Sequence, residues 1–328
     1  MNKSIPAIIE GSPTIKYKFK NANYIGIEEK SAVNRVLDSG ILSGFVGAWV
    51  PEFYGGKEVL RLEKNWSKYF KVKHSVSMNS ATSCLIASIG ALDIQPGDEV
   101  IIPPTTMTAS AAAILFYNAI PVFADICPNT FCIDPNKLEK SITKKTKAIV
   151  VVNIYGQTAA WKKIKKIARK YKLKTVEDAA QTAGGFYGKK HSGTLGDIGV
   201  FSLNRHKIIQ CGEGGMCVTN NDKLSERLQL IRNHAEAVLR KKKVKSISNL
   251  VGYNFRMTEI EAAIANEQLK KLKKILKNRI KVCKEIINEF TKFEGFIPPI
   301  ENYSKSNKLI CCLEKNIKIK HTYYYLVF

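Results

Sequence analysis

Between residues 73 and 219 the apolar positions form short unbroken runs: HSVSM at 74–78, EVIIP at 99–103, AIPVFAD at 119–125, KAIVVVNIY at 147–155 and LKTVED at 173–178. A strand that is apolar at every position is one covered on both faces, as in a parallel sheet packed between helices. Helix-spaced patterns lie between several of these runs, at 81–92, 107–117 and 160–171. That rhythm predicts an α/β fold with a mainly parallel central sheet, flanked by helices and joined by right-handed crossovers. After Asp178 the strands come closer together, at 198–203 and 215–219, before a helix near 221–233 and a long amphipathic helix over about 258–290. Upstream, EEKSAVNRVLDSG reads as a helix stopped by Gly40 and VLRLEKNWSKYF as a second helix. The glycine- and aromatic-rich GFVGAWVPEFYGG separates them. We divide the chain into an N-terminal segment with a large domain, residues 1–255, and the long helix with a small C-terminal domain, residues 256–328.

Composition narrows the class. The chain has 328 residues and a hydrophobic fraction of 45%, enough for a sizeable core. No apolar run approaches the ~20 residues that span a bilayer, and MNKSIPAIIEGSP lacks the apolar core and cleavage site of a signal peptide. A cytoplasmic location, away from membranes, is expected. The eight cysteines (84, 127, 132, 211, 217, 283, 311 and 312) show no CxxC pair and no zinc-like spacing with histidine. Neither a metal site nor a disulfide framework is expected. A net charge of +24 invites a nucleic-acid reading, but the charge is mostly lysine on predicted helix faces, at 162–172, 240–245 and 270–281. Arginine and aromatic residues do not interleave as a base-stacking platform requires. Nucleic acid is therefore not an expected partner, whereas a small anionic substrate suits the charge.

Ligands of open parallel sheets bind at the carboxyl ends of the strands, and four features fall there. Asn79-Ser80-Ala81-Thr82 follows a strand and opens a helix of small residues; it is either an ordinary N-cap or a cradle of free amides for a phosphate. Glu177-Asp178 ends the apolar LKTVED strand, where an acid either caps a following helix or faces the ring nitrogen of a heterocycle. Ser202 ends GVFSL, with a hydroxyl in reach of the same phosphate. Lys207 stands beside Gly212-Glu213-Gly214-Gly215, as a basic surface loop or as a lysine desolvated for Schiff-base chemistry.

From about 25 to 275 the chain resembles the DegT/DnrJ-type sugar aminotransferases. The resemblance rests on GILSGFVGAWVPEFYGG, QPGDEVIIPP, AIPVFADICPNTF, KTKAIVVVNIYGQ, VEDAAQTAGG, GTLGDIGVFSL, the GEGGMCVTN phrase after Lys207 and VGYNFRMTEIEAAI, all in the family's order. It implies a pyridoxal 5'-phosphate enzyme of aspartate aminotransferase fold type I that moves an amino group, usually from glutamate, to a keto sugar. That sugar is most often nucleotide-linked, in amino-sugar or polysaccharide biosynthesis. Lys207 would then bond the cofactor aldehyde, and Asp178 would hold the pyridine nitrogen protonated. Gln181, one helical turn on, would approach the phenolic oxygen, and Ala81, Thr82 and Ser202 would bind the phosphate. Asn254 would reach the phosphate of the neighbouring subunit of a homodimer, while Tyr155, His206 and Arg256 would shape the substrate pocket. Three features depart from the family's pattern. Met107 replaces an aromatic residue on the pyridine face. His206 precedes Lys207, whereas dehydratase relatives carry histidine in place of the lysine; counting back from GEGG puts Lys207 at the lysine position and favours transamination over removal of a sugar hydroxyl. Relatives also run on past a stretch like HTYYYLVF, so the small domain reads as incomplete, and an inactive or regulatory relative is the third reading.

Overall fold

Strand and helix alternate through the computed structural model, which describes residues 9, 15–18, 24–243, 250–296, 298 and 317–325. In chain order the elements are α1 (Ile27–Ser39), α2 (Lys57–Phe70), β1 (His74–Met78), α3 (Ala81–Ala91), β2 (Glu99–Ile102), α4 (Thr108–Leu115), β3 (Ile120–Phe123) and α5 (Pro135–Leu138). They continue with β4 (Thr146–Val152), α6 (Trp161–Lys170), β5 (Lys174–Asp178), β6 (Phe186–Tyr187), β7 (Lys190–His191), β8 (Ile198–Ser202), β9 (Gly215–Thr219), α7 (Asp222–Arg232), α8 (Leu239–Lys242), α9 (Glu259–Phe290) and β10 (Ile319–Lys320). Local chemistry sets several boundaries. Gly40 adopts φ 68° and ends α1 with a left-handed cap. Thr258 and Glu261 form a reciprocal capping box that starts α9.

The seven-stranded sheet runs in the order β1-β9-β8-β5-β4-β2-β3. The pairs β2–β3, β2–β4, β4–β5 and β5–β8 are parallel, and β9 lies antiparallel to both β1 and β8. Two apolar layers cover it. On one side Leu85, Ile114, Ile164 and Ile231 pack against the strands; on the other Leu62, Trp66 and Phe70 of α2 meet Phe201, Met216 and the Leu272–Leu276 stretch of α9. A second sheet, β10-β6-β7, is antiparallel.

Two expectations need correction. The apolar run at 119–125 does not form a strand covered on both faces: β3 is an edge strand, with Ile120 and Phe123 exposed. A parallel edge strand has a neighbour on one side only, so apolarity there did not report burial. The cysteines also depart from the sequence reading, since Cys127 is disulfide-bonded. Cys84, Cys132, Cys211, Cys217 and Cys283 are free and buried, while Cys311 and Cys312 lie outside the described residues, as do 244 and 245 of the basic 240–245 run. Among the described residues no group of acids, histidines or cysteines could hold a metal ion, and no helix is long and apolar enough to cross a membrane.

Candidate active site

The carboxyl ends of β5 and β8 and the start of α3 meet because of a missing side chain. Gly215 of β9 pairs with Met78 of β1 on one side and Ser202 of β8 on the other. A Cβ there would come 2.6 Å from the Ala81 amide nitrogen and 2.6 Å from the Ser80 carbonyl carbon. Glycine lets the first turn of α3 settle onto the sheet beside Ser202. Ser80 caps that turn, its Oγ accepting from the Ser83 amide at 3.0 Å. The amides of Ala81 and Thr82 have no acceptor within the described residues, and both residues, at the positive end of the helix dipole, line a cavity of about 700 Å³.

Lys207 enters the same cavity from a tightly pinned loop. Leu203 N–H donates to Gly214 O at 2.8 Å and Cys211 N–H to Leu203 O at 2.9 Å, closing the loop's base, and Lys207 N–H donates to Asn204 O at 2.9 Å. Asp178, at the end of β5, lines the cavity and is buried. Its carboxylate accepts from Ser110 Oγ at 3.0 Å and from the Ala180 amide at 3.1 Å. Burial pushes the Asp178 carboxyl above its usual range, opposed by these two donors and by the charge of Lys207. Burial pushes the Lys207 amine down, opposed by Asp178 and Tyr325. Each group is thus moved toward its neutral form by desolvation and toward its charged form by the other.

Met107, His206, Tyr155 and Gln181 also line the cavity; Met107, at the N-cap of α4, is 69% exposed. Gln181 does not lie one helical turn beyond Asp178, because no helix follows β5. The chain turns instead, and Gln181 Oε1 accepts the Tyr155 amide at 2.5 Å. That bond holds Tyr155 at φ 57°, a left-handed conformation uncommon for a tyrosine. Arg256 is not part of this cavity. It shares a separate hollow of about 390 Å³ with Asn254, Ser43 and Asn79, and its Nε donates to Asn254 Oδ1 at 2.8 Å. The Asn79 amide donates to Phe255 O at 2.9 Å, which ties this segment alongside the β1–α3 turn.

Sequence reasoning missed three residues. Ser110 is one turn along α4 from Met107, a spacing that points both at one site. Tyr324 and Tyr325 line the cavity from the far end of the chain, and nothing in their spacing announces it. Together the wall offers the first residues of a helix, a hydroxyl, an amine and a buried carboxylate. The donor set fits a phosphorylated heterocyclic aldehyde: amides and hydroxyls for phosphate, an amine for the aldehyde, an acid for a ring nitrogen.

The comparisons point the same way. The GDP-perosamine synthase of Caulobacter vibrioides is 40% identical over 227 residues, which are 69% of this chain and 60% of that protein. The chain thus spans about three fifths of that relative's length. The solved aminotransferase of Psychrobacter cryohalolentis superposes with a TM-score of 0.80 at 28% identity, over 94% of this chain and 76% of that one. A solved GDP-4-keto-6-deoxymannose-3-dehydratase mutant with bound GDP-perosamine gives 0.77 at 25% identity, over 93% and 77%. With the DegT/DnrJ/EryC1/StrS aminotransferase model matched over residues 24–321, the chain belongs to that family.

Proposed function

We propose that the chain is a pyridoxal 5'-phosphate-dependent aminotransferase that moves an amino group from an amino acid, glutamate first among candidates, to a keto sugar carried on a nucleoside diphosphate. The observation that carries this reading is the convergence of Lys207 and Asp178 on one cavity with the open amides of α3. When bound, the cofactor supplies an aldehyde that captures the donor's amino group and a ring that withdraws electrons from its α-carbon. Ala81, Thr82 and Ser202 hold the phosphate. Asp178 keeps the ring nitrogen protonated, and Ser110 orients that carboxylate. Lys207, half-buried with its amine pushed toward the neutral form, takes the proton from the donor's α-carbon. Met107 would pack on the cofactor ring, and Gln181, its oxygen already accepting from the Tyr155 amide, would have its NH2 left to donate to the cofactor.

The functional unit in this reading is a homodimer. Asn254 lies outside its own chain's cavity, available to a neighbour's phosphate, and Ser43 of the same hollow is flanked in sequence by the exposed apolar residues Ile41, Leu42, Val46 and Trp49. A nucleotide-linked substrate agrees with the GDP-perosamine in the similar dehydratase, with the basic surface, and with a cytoplasmic setting. Dehydration of a deoxysugar is the second reading, favoured by that likeness and by His206 on the cavity wall. Incubation with glutamate and a panel of keto-sugar nucleotides, read by mass spectrometry, separates them: an amine gained supports transamination, an oxygen lost supports dehydration. No change with any sugar contradicts both.

A further inference from the structure

The last described segment of the chain is built into the cavity wall, and it meets the lysine directly. Tyr324 is buried. Its hydroxyl lies 3.4 Å from Lys207 Nζ, and the same Nζ sits 4.7 Å from its ring centroid. Five bonds fix the tyrosine there. Thr322 N–H donates to Gly156 O at 3.1 Å and Tyr325 N–H to Tyr155 O at 3.3 Å. Thr322 Oγ1 donates to Gln181 O at 2.8 Å, and Arg279 of α9 reaches the carbonyls of Tyr323 and Tyr324 at 3.3 and 3.4 Å. Gly156, at φ 98°, admits this approach: a Cβ there would come 2.7 Å from Thr322 Oγ1 and 2.7 Å from the Tyr323 nitrogen. A segment 117 residues beyond the lysine is thus anchored to the turn carrying Tyr155, to the chain after Asp178 and to the long helix.

We propose that Tyr324 is a positioning residue for Lys207: its hydroxyl accepts from the free side-chain amine while its ring face stabilises the ammonium form. The inference rests on the functional reading above, in which Lys207 alternates between a bond to the cofactor and a free amine that carries a proton. A lysine released into an open cavity would sample many rotamers. One held against the hydroxyl and ring of Tyr324 has fewer rotamers to sample. Among the described residues, the other titratable or charged groups lining the cavity with Lys207 are Asp178 from β5, Tyr155 from the turn after β4, Tyr325 from the same C-terminal segment, and His206 and Glu213 from its own loop. Of these, Asp178 and Tyr325 also favour the charged amine.

The test uses the full chain carrying Tyr324→Phe, which removes the hydroxyl and keeps the ring, and Tyr324→Leu, which removes both and keeps apolar bulk. With cofactor stripped, the pH dependence of Lys207 acetylation by acetic anhydride, read by peptide mass spectrometry, reports its pKa. The proposal expects the order Tyr, Phe, Leu from highest to lowest, with successive drops of about half a unit to one unit. The acidic limb of the kcat profile should move the same way. Equal pKa values in all three proteins, or a rise in the Phe variant, overturns it; if the Leu variant fails to fold, the Tyr–Phe difference decides alone. Protection of Lys207 by added pyridoxal phosphate is scored separately. Its absence sinks the functional reading and leaves the pKa order to be judged by itself.

Discussion

Two acids sit side by side at the end of β5 and do opposite work. Glu177 and Asp178 are both buried, and burial raises the pKa of each. Strand alternation sends their side chains to opposite faces of the sheet. Glu177 accepts from Asn153 Nδ2 at 2.8 Å, the Leu195 amide at 2.6 Å and the Gly196 amide at 3.2 Å. Its donors are backbone amides and a buried side chain, so it is a knot that ties β4, β5 and the loop before β8. Asp178 accepts from one hydroxyl and one amide and keeps the rest of its carboxylate on the cavity that holds Lys207. Burial alone does not separate scaffold from site; the number of fixed donors around the acid, and what the remaining side faces, does.

The largest expected effect is on the cavity side. Lys207→Ala should lower turnover by on the order of 10⁴-fold, since in the proposed function it removes the general base and the cofactor's covalent anchor, with thermal unfolding close to the parent's. Asp178→Asn should follow, with kcat reduced about 10²–10³-fold through lost electrostatic stabilisation and a urea midpoint little changed. Glu177→Ala should invert that pattern. Stranding the donors at Asn153, Leu195 and Gly196 should cost about 3 kcal/mol or more in urea unfolding, while activity per folded molecule stays near the parent's. Equal stability losses at 177 and 178 would erase the contrast. Gly215→Ala should cost about 1–3 kcal/mol by overpacking and weaken cofactor affinity measured by fluorescence titration, because the new methyl displaces the Ala81 amide.

The smallest effect is one of pH. A carboxyl whose folded pKa is raised binds its proton more tightly in the folded state. Its stabilisation is full below its ordinary value of 4.5 and is lost as pH rises through the folded value. Glu177→Gln should therefore flatten the decline in stability above pH 4.5, as followed by urea midpoints across pH.

Most of the scaffold was legible because burial on both faces leaves an unmistakable apolar run: β1 and β9 fall on the stretches read from sequence, β5 and β8 differ by one residue, and β4 ends three residues before the run read at 147–155. The failure at β3 comes from the same rule, since an apolar edge strand reads like a buried one. Within the site, Lys207, Asp178, Ser202 and Thr82 were legible as strand-end chemistry, and the structure brings them to one cavity. Gln181 was placed on a helix that the Gly184–Gly185 turn does not allow; Gly184 adopts φ 79°, and a Cβ there would come 2.3 Å from Leu276. Tyr324 could not be read at all, because its role depends on a docking across 117 residues that no periodicity encodes. Arg256 was assigned to the pocket on resemblance and stands outside this chain's cavity.

The most direct test of the central claim is borohydride reduction of the full chain loaded with pyridoxal phosphate, followed by peptide mapping. The account predicts a single pyridoxyl adduct on Lys207, lost in Lys207→Ala. An adduct spread over the surface lysines, or none at position 207, would contradict it.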